Sequence, residues 1–277
     1  MDDLDFTRPA QSEVYNANVA RLFFHANGKA KAVAAGSPLF AENAAGKSMY
    51  FLNSGEIALT RGGKPLDVIK AGEVLGEMSV LTSAPRSATA KARSACEVIE
   101  MDAANFSSAI QKAPDFALML LAILIKRLRL ALAMQMLGKG QPSAAVETIP
   151  SSGAVFDAAL LKDLTSYFPV RPPAFQPKNA VIMREGEAGI FMYVVMEGAV
   201  RITSGEKIIE VVKSGGVFGE MVLVDQSKRA ASAAAVSDCN LMSINRNDFL
   251  TLVKTNPAFG VSLLRSLATR LRNTGRK

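Results

Sequence analysis

Two stretches of this chain carry residues suited to holding a small anionic ligand. Gly76-Glu77-Met78 leads to Arg86-Ser87-Ala88, and Gly219-Glu220-Met221 leads to Arg229-Ala230-Ala231, with the arginine nine residues after the glutamate in both. A glycine lets backbone approach a ligand with no Cβ in the way. The residues after it can form a short helical turn whose free N–H groups favour an anion. The arginine can then close on that anion with a charge-assisted, often bidentate contact. Ser87-Ala88 and Ala230-Ala231 are small enough to leave room beside it. The glutamate cannot serve the same anion, because like charges repel. It is an acceptor, suited to a hydroxyl on the far side of the ligand. The pattern therefore asks for a ligand with one anionic group and one free hydroxyl. A Gly-Glu pair alone is weak evidence, and Gly55-Glu56, Gly72-Glu73, Gly186-Glu187 and Gly205-Glu206 read as turn glycines beside solvated carboxylates.

The two stretches are parts of a longer repeat. A constant offset of 143 positions places Gly46 on Gly189, Met49-Tyr50 on Met192-Tyr193, Gly55 on Gly198 and Gly72 on Gly215. The same offset carries Cys96 onto Cys239, Phe106 onto Phe249, Pro114 onto Pro257 and Arg127-Leu128-Arg129 onto Arg270-Leu271-Arg272. A period this long means two globular modules rather than a solenoid. The expected division is a polar leader over 1–12, a first domain over 13–137, a linker over 138–154 and a second domain over 155–277.

Each module reads as a set of short strands and then helices. Apolar runs at Ser48–Leu52, Glu56–Thr60, Leu66–Ile69, Ala88–Ala92 and Cys96–Met101 are separated by turn residues. The second module repeats them at Phe191–Met196, Ala199–Thr203, Lys207–Val212, Ala231–Val236 and Cys239–Ile244. Many short strands with glycine turns indicate a barrel or jelly-roll. Residues 13–24 and 104–111 are expected helices. Long helices are expected over 115–137 and 257–273, each opened by a proline that suits a helix start. The first of these is apolar on every side for three turns, whereas a surface helix shows one stripe. It should be covered twice, by its own barrel and by a second body. Pro169–Pro177 holds four prolines and reads as a rigid extended lead-in to the second barrel.

Composition narrows the function. The 277 residues suffice for two ordinary domains, and 49% are hydrophobic. The net charge of +7 is scattered, densest at Lys126–Arg129 and from Arg265 to Lys277. A solvated helix face is the default reading of both clusters, and an anionic partner or nucleic acid is the alternative. The acidic start, Met1-Asp2-Asp3-Leu4-Asp5, is unlike a basic and then apolar secretory leader. With only two cysteines, Cys96 and Cys239, this points to the cytoplasm. The cysteines fall in equivalent strands of separate modules and are expected as buried free thiols. The longest apolar run, Phe116–Ile125, is far short of the ~20 residues that span a bilayer. One histidine, His25, cannot build a metal site or a triad, and a surface or packing role is its default. No nucleophile–base pair, metal cluster or nucleotide-triphosphate loop is present, so no catalytic residue, metal or cofactor is expected and the chain is not read as an enzyme.

The Gly-Glu…Arg stretches resemble the phosphate-binding cassette of the cyclic-nucleotide-binding domain family, which includes catabolite activator proteins and protein kinase A regulatory subunits. The resemblance covers nearly the whole chain, twice. It implies a mainly β fold with α: two tandem β-rolls (jelly-rolls), each with flanking helices and a C-terminal helix. It implies that Glu77 and Glu220 accept the ribose 2′-hydroxyl and that Arg86 and Arg229 pair with the cyclic phosphate. Binding site 1 would comprise Gly76, Glu77, Met78, Arg86, Ser87 and Ala88. Binding site 2 would comprise Gly219, Glu220, Met221, Arg229, Ala230, Ala231 and, as a base contact at the helix end, Thr274. A threonine after the arginine accompanies cGMP preference in relatives. Neither module has one, so cAMP is favoured over cGMP. The first cassette has Pro85 and Ser87 where the second has Lys228 and Ala230, so unequal affinities follow. The implied role is a non-catalytic receptor that reports to a protein effector by moving a helix. No helix-turn-helix pattern follows either long helix, so DNA is not the expected partner. A DNA-binding regulator of the catabolite-activator type, or a scaffold whose cassettes no longer bind, are the alternatives. The long helices are expected to pair, within one chain or between two.

Overall fold

The computed structural model describes residues 16–137, 151–152, 154–167 and 172–274. The expected leader, most of the expected linker and the first residues of the Pro169–Pro177 segment lie outside them. In chain order the first repeat comprises α1 (Ala17–Asn27), β1 (Lys29–Val33), β2 (Pro38–Phe40), β3 (Ser48–Ser54), β4 (Glu56–Arg61), β5 (Lys64–Lys70), β6 (Val74–Leu75), α2 (Glu77–Thr82), β7 (Thr89–Ala92), β8 (Cys96–Asp102), α3 (Ala103–Ala109), a turn of 3-10 helix (Ile110–Lys112) and α4 (Pro114–Leu137). The second comprises β9 (Ser151–Ser152), α5 (Ala158–Tyr167), β10 (Ala174–Gln176), β11 (Val181–Met183), β12 (Phe191–Glu197), β13 (Ala199–Ser204), β14 (Lys207–Lys213), β15 (Val217–Phe218), α6 (Met221–Asp225), β16 (Ser232–Ala235), β17 (Cys239–Asn245), α7 (Arg246–Thr255) and α8 (Pro257–Thr274).

Each repeat folds its strands into two sheets, antiparallel except where β9 joins β14. In the first the orders are β1-β8-β3-β6 and β2-β7-β4-β5; in the second they are β10-β17-β12-β15 and β11-β16-β13-β14-β9. The register repeats with the sequence offset: Tyr50 faces Glu100 across β3 and β8, and Tyr193 faces Ser243 across β12 and β17. The irregularities repeat as well, at Leu52/Ser54 and at Val195/Glu197, each just before the paired turn glycines. Inside the first roll Tyr50, Leu52, Ile57, Ile69 and Val98 form one apolar cluster. The cluster of the second roll contains Val195, Val200, Ile202, Val212 and Leu241. Alternate residues of β3 face the other way, and Phe51 stacks on Phe24 of α1 at 5.8 Å. That two-sided burial explains why β3 is apolar at consecutive positions. Cys96 and Cys239 are buried free thiols, and His25 lies exposed on α1.

The short outer strands β1, β2, β10 and β11 and the two-residue strands β6 and β15 carry no strong sequence signal. β1 reads Lys-Ala-Lys-Ala-Val and buries only Val33. It is a strand because its backbone pairs with β8 along its length. The expected strand at 66–69 extends to Lys64–Lys70, and the expected helix at 13–24 is described over Ala17–Asn27. Asn16 caps that helix, its side chain accepting from the Asn18 amide at 3.0 Å. The expected linker ends in β9, which pairs in parallel with the edge of β14 at Val211 and Val212.

By packing, the chain divides into two compact units. One runs to Val80 and resumes over Ala84–Phe106; the other takes Leu81–Ser83 and everything from Ser107. The second unit therefore includes α4, which packs against α8, α6 and α7. Phe116, Leu120, Leu121, Leu124 and Ile125 of α4 are all buried, as are Leu263, Leu264 and Leu267 of α8. Such burial stabilises by about 1.5–3 kcal/mol per large side chain. Among the described residues no helix is long and apolar enough to cross a membrane. Leu120 and Leu264 have no exposed surface, so truncation leaves a cavity as well as losing transfer energy. Leu120→Ala and Leu264→Ala should each lower unfolding free energy by about 2–5 kcal/mol, measured as a shift in the urea midpoint of the full chain.

Candidate functional site

Each cassette runs from the short strand at one sheet edge, through the helix after it, to the next strand. Gly76 follows β6 and Gly219 follows β15, with φ of +78° and +76°. A Cβ there would be strained, and it would also lie 2.7 Å from Nη1 of Arg86 or 2.6 Å from Nη1 of Arg229. Gly46 has ordinary backbone, yet its Cβ would fall 2.7 Å from Nε of Arg86. Gly189, its repeat partner, would place one closer still to Nε of Arg229. These glycines make room for a guanidinium on two sides.

In the first cassette Arg86 is 4% exposed. Its Nη1 donates to the Gly76 carbonyl at 3.1 Å and to the Ser79 hydroxyl at 2.7 Å. Ser79 in turn donates to the Gly76 carbonyl at 3.0 Å. The guanidinium carbon lies 4.1 Å from the Phe40 ring centre and 5.7 Å from that of Tyr50. Nε has no hydrogen-bond partner among the described residues. Tyr50 donates to Glu100 at 3.0 Å, and its phenol is pushed up to about 12 by burial first and then by that carboxylate. Glu77 opens α2 and is 2% exposed. Met78 follows it on α2, and Ser87 and Ala88 lead from Arg86 into β7.

In the second cassette Arg229 is 6% exposed. Nη1 donates to the Gly219 carbonyl at 2.9 Å and Nη2 to the Phe191 carbonyl at 2.7 Å. Its guanidinium carbon lies 5.9 Å from the Tyr193 ring centre. Among the described residues neither Arg86 nor Arg229 has a carboxylate within ion-pair distance. Their donors meet only carbonyls and one hydroxyl. Burial lowers the pKa of both, and the more distant Glu77 and Glu100, or Glu220 and Glu187, offset this only in part. Each cassette thus holds a buried cation without a counter-ion.

Arg270 on α8 is the contrasting case. Burial works to lower its pKa, but Glu210 and Glu220 outweigh that and hold it raised. Nη1 donates to Glu220 at 2.8 Å, Nε lies 2.9 Å from a Glu210 oxygen, and Nη2 donates to the Val217 carbonyl. This ties the Glu220 carboxylate to the C-terminal helix. The first-repeat counterpart of Glu210 is Asp67, which is exposed.

One cavity collects every residue expected for the second site: Gly219, Glu220, Met221, Arg229, Ala230, Ala231 and Thr274. Its wall also holds Lys207, Glu210, Arg270 and Asn273, together with Leu128 and Leu132 of α4. Thr274 bonds back to the Arg270 carbonyl at 2.9 Å while lining it. The sequence did not assign Phe40, Tyr50 and Ser79 to the first cassette, nor Arg270, Glu210, Asn273 and the α4 leucines to the second. A signal existed for some of them: Tyr50 with Tyr193, and Gly46 with Gly189, are among the identities that the repeat preserves. Ser79 has Val222 as its counterpart and left no such trace. Among the described residues no cluster of His, Cys, Asp and Glu could hold a metal ion.

The family model described as the cyclic nucleotide-binding domain matches twice, at residues 30–113 and 175–256. The cyclic AMP receptor protein of Thermus thermophilus is 36% identical over 112 residues, covering 39% of this chain and 50% of that protein. The cAMP-dependent protein kinase regulatory subunit of Yarrowia lipolytica is 24% identical over 226 residues, covering 79% of this chain and 52% of that one. The chain thus spans about half the length of these relatives. Among solved structures, the regulatory domain of Toxoplasma gondii PKA with cAMP aligns over 89% of this chain and 95% of its own, at 21% identity and a TM-score of 0.33. Two matches to one family model, each containing a Gly-Glu pair and a buried arginine in the same arrangement, place this chain in the cyclic nucleotide-binding domain family, with two copies of the domain.

Proposed function

We propose that this protein is a non-catalytic cyclic nucleotide receptor with two unequal sites. The observation that carries it is the pair of buried guanidiniums, Arg86 and Arg229, that have no carboxylate partner among the described residues while glycines hold space around them. A cyclic phosphate supplies the missing charge. Glu77 and Glu220 then accept the ribose hydroxyl, as the ligand pattern of one anion and one hydroxyl requires. Site 1 comprises Gly76, Glu77, Met78, Arg86, Ser87 and Ala88; site 2 comprises Gly219, Glu220, Met221, Arg229, Ala230, Ala231 and Thr274.

cAMP is the favoured ligand. Residues after the arginines are Ser87 and Ala230, with no threonine, and two of the relatives above carry cyclic AMP or cAMP in their names. The inequality has a structural basis. Ser79 gives Arg86 a hydroxyl partner where the second cassette has Val222, and Phe40 adds a close ring face. At the second site Arg270 binds Glu220, and Asn273 and Thr274 of α8 line the cavity. The first is the better phosphate site, and the second has the candidate base contact, Thr274, at its helix end. Ligand contact with Glu220 biases Arg270 and so the packing of α8, and a shift between two helix positions is the output. A cytoplasmic protein effector reads that output; DNA does not.

Calorimetry with cAMP should show two binding events of different affinity. Arg86→Leu and Arg229→Leu should each abolish one of them, at about 2–5 kcal/mol per desolvated charge pair. Wild-type protein giving no heat with either cAMP or cGMP would sink this reading. The ribose contact has its own check. Glu220→Ala should weaken cAMP at the second site by about 1.5–3 kcal/mol, while 2′-deoxy-cAMP should bind wild type and variant alike. A further loss with the deoxy ligand would show that the glutamate does something else.

A further inference from the structure

The loop that delivers Arg229 is held at both ends by one side chain of α4. Arg129 donates from Nε and Nη2 to the two carboxylate oxygens of Asp225, the latter at 3.0 Å, and from Nη1 to the Lys228 carbonyl at 2.9 Å. Asp225 is the last residue of α6, and Lys228 is the residue immediately before Arg229. Between them the backbone turns through Gln226 at φ 54°, and the Ser227 amide donates to Asp225 at 3.1 Å. Residues 226–228 are exposed, so little packing holds them. A planar guanidinium fork that meets a carboxylate and a carbonyl together fixes direction as well as distance. Leu128, beside Arg129, and Leu132, one turn on, line the cavity that contains Arg229. One face of α4 therefore both walls the cavity and clamps the loop.

The carboxylate in this clamp is not a product of the repeat. Arg129 has a counterpart in Arg272, but Asp225 has Thr82 as its counterpart, so only the second cassette has a carboxylate there.

We infer that Arg129 is a positioning residue for the second nucleotide site. It holds the backbone on either side of the Gln226 turn and so sets where the Arg229 guanidinium stands. The affinity of this site is thereby conditional on α4, a helix that the first repeat supplies. The inference rests on the reading of this cavity as a nucleotide site.

The test is cAMP calorimetry on the full chain in an Arg86→Leu background, where only the second site reports. Arg129→Ala should weaken binding about tenfold, and Asp225→Asn, which keeps the side-chain volume, should do nearly the same. The double variant should be no weaker than either single one, because both remove one interaction. Arg129→Lys, a charge without the fork, should fall between. In an Arg229→Leu background the first site should be unchanged by any of them. Second-site affinity that stays within about twofold in Arg129→Ala, additive losses in the double variant, or equal losses at both sites would each overturn the inference. Absence of cAMP binding by the parent protein would instead overturn the nucleotide reading on which it rests.

Discussion

A guanidinium taken out of water with no carboxylate beside it is the constraint around which each roll is arranged. Desolvating one ion costs several kcal/mol even after relaxation, and only a well-placed opposite charge or dipoles can repay it. Arg86 and Arg229 meet carbonyl dipoles, a hydroxyl and aromatic faces instead of a counter-ion. These are enough to hold the charge in place but leave its field open on one side. A small anion at that side completes the pair in a low-dielectric setting, where the attraction is much stronger than at the surface. Reactivity is not needed for such a site. It needs room, which glycines provide, and a rigid frame, which the two sheets provide.

The rest of each roll can be understood as that frame. Gly76 and Gly219 need the left-handed backbone that follows the short strands β6 and β15, and the same turn brings their carbonyls onto Nη1 of the arginines. The aromatic residues on β3 alternate between the inside of the roll and its helix side. Tyr50 thereby comes to the guanidinium while Phe51 meets α1. Duplication carried this geometry across intact, including the irregular pairing before Gly55 and Gly198.

The two copies have then diverged in what surrounds the charge. Ser79 became Val222 or the reverse, and the exposed Asp67 corresponds to the buried Glu210 that meets Arg270. A carboxylate at the start of the cassette that also binds a helix ties the two together. Arg270, between Glu210 and Glu220, makes such a connection in the second unit. Differences of this kind change what surrounds the charge without altering the arginine or the glutamate in either copy.

How much of this was legible beforehand follows from which signals are local. Spacing within a cassette, the constant offset between copies, and runs of alternating apolar residues are all one-dimensional, and they determined the duplication, the roll class, the long helices and the Glu and Arg pairs. β1, β2, β10 and β11 were not legible, because their pairing energy is backbone hydrogen bonding to a distant strand and their side chains are mostly solvated. Ser79 was not legible either, since nothing along the chain distinguishes a hydroxyl that meets Arg86 from one that meets water. Least legible was the role of α4. Its apolar surface announced burial on every side, but the sequence could not say what would cover it. Tertiary structure decided that Leu128 and Leu132 wall the second cavity and that Arg129 reaches Asp225, because those contacts join residues nearly a hundred positions apart and depend on how helices pack.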